Sequence, residues 1–420
     1  MEMRDLYMKG QLIVTFSQRC RWRLKSFFLC LVVISVTSVE AISQSTTNPA
    51  HQTVGGFQKN PLERLRITED DLAGQNDTDR IRYIGMTRYL NGMKAVVTTT
   101  IDDSTEYVDD AVDAFDKYGI KATIAISTHR GPISDLWPRL RKAVVDGHEI
   151  GSHSRRHQCQ WPDTAEFCRA AYSQDEITGS KNDILANTNQ SHVWTWVYPC
   201  GNCADYEFIH ERLQRAEYLV ARNYPDEERG GVLVPDLQTW ALDPYNAGFT
   251  QVVQKKGGIA PAGRTDVPSL NAKFDEVYQN GGIYHFVSHP QWLDYGPDNF
   301  FEKHLAYLGG RNDIWYVPLG PLYAYQLVAE NTIVSRLKAV NGLERFVVYN
   351  MLDPRIYRNS ITLEFKATTD TKIRVLLEGK DLPEHAEGPT KEGSANYYRL
   401  SNDSILVTVQ PNSILEFAFD

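Results

Sequence analysis

The sequence predicts a parallel α/β architecture followed by a small antiparallel β-sandwich. Two observations carry this. From about residue 91 the chain alternates β-branched runs with segments of 3.6-residue apolar period, the pattern of strand–helix repeats around a parallel sheet. After about residue 345 the period drops to two, with turn residues and no helix between the runs.

Taken in order, "MKAVVTTTI" (93–101) reads as a strand. Ser104 can cap a helix whose apolar residues Val108, Ala111, Val112, Phe115 and Tyr118 share one face, and Gly119 ends it. "KATIAIST" (121–128) is a second strand, "SDLWPRLRKAVVDG" (134–147) a second helix, and "HEIGSH" (148–153) a third strand. "HVWTWVYP" (192–199) and "GIYHFVSH" (282–289) read as further buried strands. "SITLEFKA" (360–367), "KIRVLLEG" (372–379), "SILVTVQP" (404–411) and "SILEFAFD" (413–420) are the sandwich strands. The predicted layout is a leader at 1–41, a polar linker or extension at 42–90, a barrel at 91–340 and the sandwich at 341–420.

At 420 residues the chain is long enough for one large and one smaller core. Its 42 % hydrophobic content is that of a folded protein, and a net charge of −9 argues against a nucleic-acid partner. Basic "RCRWRLK" (19–25) precedes apolar "SFFLCLVVISVTSV" (26–39), and Val39 and Ala41 suit the −3 and −1 positions of a secretory cleavage site. The apolar run is short for a membrane span, so no stable membrane partner is expected beyond the export signal. The expected location is the periplasm, cell envelope or extracellular space. There the four cysteines remaining after cleavage would be oxidised, and sequence-local pairing gives Cys159–Cys168 and Cys200–Cys203.

In an α/β barrel, functional groups gather at the carboxyl ends of the parallel strands. Those ends carry Asp102-Asp103, His153 with His157, Tyr198-Pro199-Cys200-Gly201, and His289. Two histidines one helical turn apart point the same way and can bind one ion at about 2.0–2.1 Å. The residues between them are Ser154, Arg155 and Arg156, so the glutamate base of an H-E-x-x-H site is missing. Asp102-Asp103 offers one carboxylate to the ion and one to the attacking water. His148 reads as a structural hydrogen-bonder, and His285, on the same strand face as His289, as a possible second-layer group. Trp292, Tyr323 and Tyr325 can stack on sugars, but with 8 Trp and 22 Tyr in the chain, core packing is the default.

"TTTIDD" (98–103), "GHEIGSHSRRH" (147–157), "VYPCGN" (197–202) and "GGIYHFVSHP" (281–290) together resemble the ordered motifs of the polysaccharide deacetylases, carbohydrate esterase family 4 with its NodB homology domain. The resemblance spans roughly residues 90–325. It implies a distorted (β/α) barrel holding one divalent metal, most commonly zinc, that removes N- or O-linked acetyl groups from a carbohydrate. By position it implies Asp103, His153 and His157 as ligands, Asp102 as general base, His289 as general acid and the Cys200 backbone N–H as oxyanion donor. Tyr198 and Trp240 would contact substrate, with Asp243 in the loose fourth motif "LQTWALDPYN" (237–246). The family's third motif commonly begins with an arginine that steadies the base; Val197 stands there, and Arg222 in "YLVARNY" (218–224) is the nearest substitute. Two other readings compete: a barrel that binds carbohydrate with little or no catalysis, and a hydrolase of another non-peptide C–N bond.

Overall fold

The computed structural model describes residues 62, 65–74, 79–103, 107–131, 133–223, 240, 243–247, 251–253, 266–368, 372–385, 396–401 and 404–420. The leader, most of the polar linker and the proposed cap Ser104 lie outside them. Phe57–Asp420 forms one compact unit.

The strands are β1 (Ile81–Met86), β2 (Ala95–Asp102), β3 (Thr123–Ile126), β4 (Glu149–Ser152), β5 (Thr195–Val197), β6 (Val220–Arg222), β7 (Gln251–Val252), β8 (Ile283–Ser288) and β9 (Ile314–Tyr316), followed by β10 (Thr332–Val340), β11 (Leu343–Asn350), β12 (Ile361–Ala367), β13 (Ile373–Leu377), β14 (Lys380–Asp381), β15 (Tyr397–Ser401), β16 (Ser404–Val409) and β17 (Ser413–Phe419). Eight of them form one parallel sheet in the order β6-β5-β4-β3-β2-β8-β7, with β9 also pairing β2. With its flanking helices this sheet is a distorted (β/α) barrel. Every residue of β2 and β8 is buried, which is why these strands read as continuous apolar and threonine runs rather than alternating ones. The Thr99 hydroxyl satisfies itself on the Phe286 carbonyl at 2.9 Å.

The first helix, α1 (Val108–Lys117), buries Val108, Ala111, Val112, Ala114 and Phe115 against the sheet. Each large apolar side chain removed from water there contributes about 1.5–3 kcal/mol. The other helices are α2 (Ile133–Val145), α3 (Ala165–Ala171), α4 (Gln174–Asn187), α5 (Glu207–Arg215), α6 (Val267–Gln279), α7 (Phe300–Leu308) and α8 (Leu319–Glu330). The start of α8 is tied to the barrel floor by Glu149, whose buried carboxylate accepts from Gly320 N, Trp194 N, Thr195 N and the hydroxyls of Thr123 and Thr195. A Cβ at Gly320 would run into that carboxylate, so only glycine allows the approach.

The sandwich consists of sheet β1-β12-β16-β15 against sheet β10-β11-β17-β13-β14. Phe365 of the first sheet packs between Phe346 and Phe417 of the second, with ring centroids 5.0 and 4.9 Å away. Residues 81–86, assigned from composition to the N-terminal extension, are a sandwich strand that pairs with β12. The sandwich also begins at Thr332, before position 341, because β10 follows α8 directly and pairs with β11.

The cysteine pairing expected from sequence proximity is wrong. The bonds are Cys159–Cys200 and Cys168–Cys203. Both join the segment after β4 to the segment after β5. These strands are neighbours in the sheet, so residues about forty apart in sequence come together at their carboxyl ends.

Candidate active site

Asp102 ends β2 as a buried residue, while Asp103 leaves the strand at φ 73°. Adjacent strand residues point to opposite faces. The left-handed backbone at Asp103 lets both carboxylates serve one site, at the cost of local strain.

His153 and His157 are not on a helix. The chain runs as a loop with Ser154 at φ 65° and His157 at φ 52°, and the two rings meet with centroids 4.7 Å apart. The ligand atoms of Asp103, His153 and His157 lie within 4.8 Å of one another. Asp103 Oδ1 is 3.3 Å from His157 Nε2 and 3.8 Å from His153 Nε2. His153 Nδ1 lies 2.9 Å from the Val197 carbonyl oxygen, so it carries the proton and leaves Nε2 a free acceptor. Burial pushes the His157 imidazole down to about 3, with neighbouring His153 acting the same way, so the ring is neutral and its lone pair available. One carboxylate and two imidazoles form a donor set that suits a divalent ion of zinc type.

Arg222, at the end of β6, forms an ion pair with Asp102 through Nη2 and Oδ2; the two side chains are 1 % and 3 % exposed. Burial pushes the Asp102 carboxyl up, but Arg222, His153 and His289 outweigh it and hold it below the usual carboxylate range. Asp102 Oδ1 is buried and has no hydrogen-bond partner among the described residues. Such an orphaned acceptor, beside the ligand cluster, is what a proton-accepting base needs. Val197 supplies only its backbone carbonyl, which any residue could, so the missing arginine there leaves His153 fully oriented.

His289 follows β8 and feels the charges of Asp102 and Asp103. Its ring lies against Trp292 with centroids 3.9 Å apart. Burial lowers its pKa, which the two carboxylates oppose. His285 is fully buried in register with Thr98. His148 bonds Asp116 at 3.0 Å and accepts from Ala122 N at 3.1 Å, a structural role.

Two expected substrate contacts are corrected. Tyr198 is fully buried, donates from its hydroxyl to the Tyr245 carbonyl at 2.7 Å and packs on Tyr172 and Trp196, so its ring meets no substrate. Trp240 lies against Tyr323 and Tyr89, and Tyr89 donates to the Gly281 carbonyl. Tyr89 and Gly281 precede β2 and β8, which puts Trp240 at the opposite end of the barrel from the site. Asp243 is 3.5 Å from His210. Tyr323 and Tyr325 are core residues.

Sequence reasoning missed several neighbours. Arg130 Nη1 reaches Asp103 Oδ1 at 3.3 Å, and Gln291 Nε2 reaches Asp103 Oδ2 at 3.4 Å. Glu176 of α4 accepts from the backbone N–H groups of Arg155 and Arg156 at 2.9 and 3.0 Å, and Asp183 pairs with Arg155 Nε at 2.8 Å. A Cβ at Gly179 would meet the Arg155 guanidinium at 2.6 Å, so glycine opens its path. The polar stripe Glu176, Ser180, Asp183, spaced four and three apart on one helix face, was the available signal.

With this geometry in place, the chain can be set beside known proteins. Residues 90–218 match the polysaccharide deacetylase family. That stretch carries Asp102, Asp103, His153, His157 and Cys200. Among solved structures, the chain is similar to the Xyl-CE4 domain of a multidomain xylanase from the hindgut metagenome of Trinervitermes trinervoides, at 15 % identity over 56 % of this chain and 92 % of that one, TM-score 0.32. It is also similar to a CE4 family pseudoenzyme from Bacillus anthracis (16 %, 54 % and 62 %, TM-score 0.30) and to an allantoinase (12 %, 60 % and 97 %, TM-score 0.41). No curated protein matches the chain. At these identities and scores the polysaccharide deacetylase match rests on the family model and the motifs, and activity has to be argued from the site.

Proposed function

We propose that the protein is a metal-dependent hydrolase that removes acetyl groups, N- or O-linked, from an acetylated carbohydrate. The observation that carries this reading is Asp102: a buried carboxylate with one oxygen committed to Arg222 and the other without a partner among the described residues, beside a three-residue ligand cluster. A protein that only bound sugar would gain nothing from a buried charge of this kind, whose desolvation is costly.

Asp103, His153 and His157 would hold the divalent ion, of zinc type, which would supply Lewis-acid polarisation of the acetyl carbonyl and a lowered pKa for water. Asp102 Oδ1 takes the proton of the attacking water, and Arg222 keeps that carboxylate ionised beforehand. The backbone N–H of Cys200, in its left-handed turn after β5, donates to the developing oxyanion. Protonated His289 delivers its proton to the leaving amine or alkoxide; burial makes its imidazolium the stronger acid for that transfer.

Export to an oxidising compartment completes the proposal. Its support is the basic-apolar N-terminal pattern together with two disulfides in the fold. The experiment is acetate release from a panel of acetylated glycans by zinc-reconstituted protein. Saccharide binding without acetate from any of them would favour the non-catalytic reading; cleavage of a formamide or cyclic amide instead would favour another C–N hydrolase.

A further inference from the structure

Besides Asp103 and Ser154, two further non-glycine residues at the site hold left-handed backbone: His157 at φ 52° and Cys200 at φ 56°. Such conformations persist where surrounding structure over-determines them. One covalent bond links the two places. Cys159, two residues after His157, is joined to Cys200. The bond lies against the imidazole: a His157 ring nitrogen and both sulfurs fall within 4.8 Å of one another, and Cys159 Sγ is 3.6 Å from His157 Nδ1. Beside it, Gln160 N donates to Asn202 Oδ1 at 2.9 Å, so the same two segments are also tied through hydrogen bonding.

The two disulfides differ in setting. Cys168 and Cys203 are 0 % and 1 % exposed within the apolar core, whereas Cys159 is exposed and Cys200 half-buried at the site. The inner bond has the surroundings of a structural staple. The outer one contributes little apolar packing, yet it joins the loop that carries a candidate ligand to the turn that carries the candidate oxyanion donor.

We propose that the Cys159–Cys200 disulfide is a positioning cross-link, fixing the His157 loop and the Cys200 backbone N–H in one mutual arrangement. The part concerning the N–H rests on the deacetylase reading above; the part concerning His157 does not. Opening the bond in the folded protein requires an external dithiol. One of its thiolates attacks Cys159 Sγ, Cys200 leaves as thiolate, and the second reagent sulfur closes to a cyclic disulfide, leaving two protein thiols. The exposure difference makes this bond open before Cys168–Cys203.

The test uses two preparations of the full protein. In the first, the oxidised wild type is treated with a dithiol, desalted without oxygen and checked by alkylation and mass for two thiols rather than four. Its kcat for acetate release is measured at saturating zinc before treatment, after it, and after reoxidation. In the second, the Cys159→Ser/Cys200→Ser variant is titrated with zinc calorimetrically, since serine introduces no competing thiolate, and its Tm is recorded without metal. The expected results are a fall in kcat of about 10–100-fold that reoxidation restores, and zinc affinity weakened by about 10–100-fold in the variant. A lower Tm with kcat and zinc affinity both within twofold of the oxidised wild type would make the bond a structural staple and overturn the proposal. If the wild type releases no acetate, the deacetylase reading fails, and the zinc titration alone still decides whether the bond positions His157.

Discussion

Arg222 at the end of β6 and Asp102 at the end of β2 are 120 residues apart in sequence and form a buried ion pair across the barrel mouth. The guanidinium takes the place that Val197 cannot fill. It is what keeps the Asp102 carboxyl below the usual carboxylate range in spite of burial, which alone pushes it up.

Replacing Arg222 with Met should therefore raise the Asp102 pKa, because burial then acts with less opposition. The acid limb of the pH–rate profile should move to higher pH, and the variant should lose about 3–5 kcal/mol of stability from the uncompensated charge. In the wild type the pair stabilises the fold above the unfolded carboxylate pKa, and that contribution disappears as pH falls through the lowered folded value. An acid limb that stays in place would mean that Arg222 does not govern Asp102.

Ligand and base should separate by substitution. His153→Ala removes a member of the donor cluster, so zinc binding and activity should be lost together. Asp102→Asn keeps the shape but cannot accept a proton, so turnover should fall by about 10²–10⁴ with zinc content retained. Elemental analysis beside kinetics distinguishes them; loss of zinc in Asp102→Asn would make Asp102 a ligand.

His289, at the carboxyl end of β8, should own the basic limb of the profile. His285 stands four residues earlier and, at about 3.3 Å per residue, about 13 Å deeper in the barrel. Its full burial holds its pKa well below the ordinary value. His289→Ala should flatten the limb and slow amine leaving groups more than activated esters; His285→Ala should leave the limb where it is. The opposite pattern would put the active face elsewhere on the strand.

The fold itself should be acid-sensitive through buried histidines. His304 lies between the Tyr284 hydroxyl at 3.0 Å and Asn271 at 2.8 Å, and burial pushes it down to about 3; His192 is pushed down to about 4 by burial and by Lys181. Both are neutral in the folded chain at pH values where the unfolded chain protonates them. Stability is then full above about 6.5 and declines as pH falls toward 4 and 3, by up to about 1.4 kcal/mol per pH unit for each group. Thermal melts from pH 7 to 4 should show the decline, and His304→Gln should reduce it. A flat melting temperature across that range would contradict the assignment.

The parallel strands and the residues at their ends were legible because burial on both faces leaves continuous apolar runs, and because chemistry collects where such strands stop. Asp102, Asp103, His153, His157 and Cys200 all follow from that rule. The cysteine pairing was not, since it depends on β4 and β5 being neighbours rather than on sequence distance. Nor was β1, whose partner strand β12 lies some 280 residues away. Tyr198 and Trp240 misled because aromatic side chains near a motif serve core and substrate equally well by composition. Arg130 sits at the end of a turn and Gln291 in a single 3₁₀ turn, neither with any periodicity, so only the fold brings them to Asp103.

The most direct test of the account is acetate release measured on one acetylated oligosaccharide with four samples: zinc-loaded wild type, the same protein after chelation, the chelated protein reloaded with zinc, and zinc-loaded Asp102→Asn. The account predicts turnover in the first, none in the second, recovery in the third and a loss of about 10²–10⁴ in the fourth. Acetate release that persists after chelation, or that Asp102→Asn leaves unchanged, would contradict it.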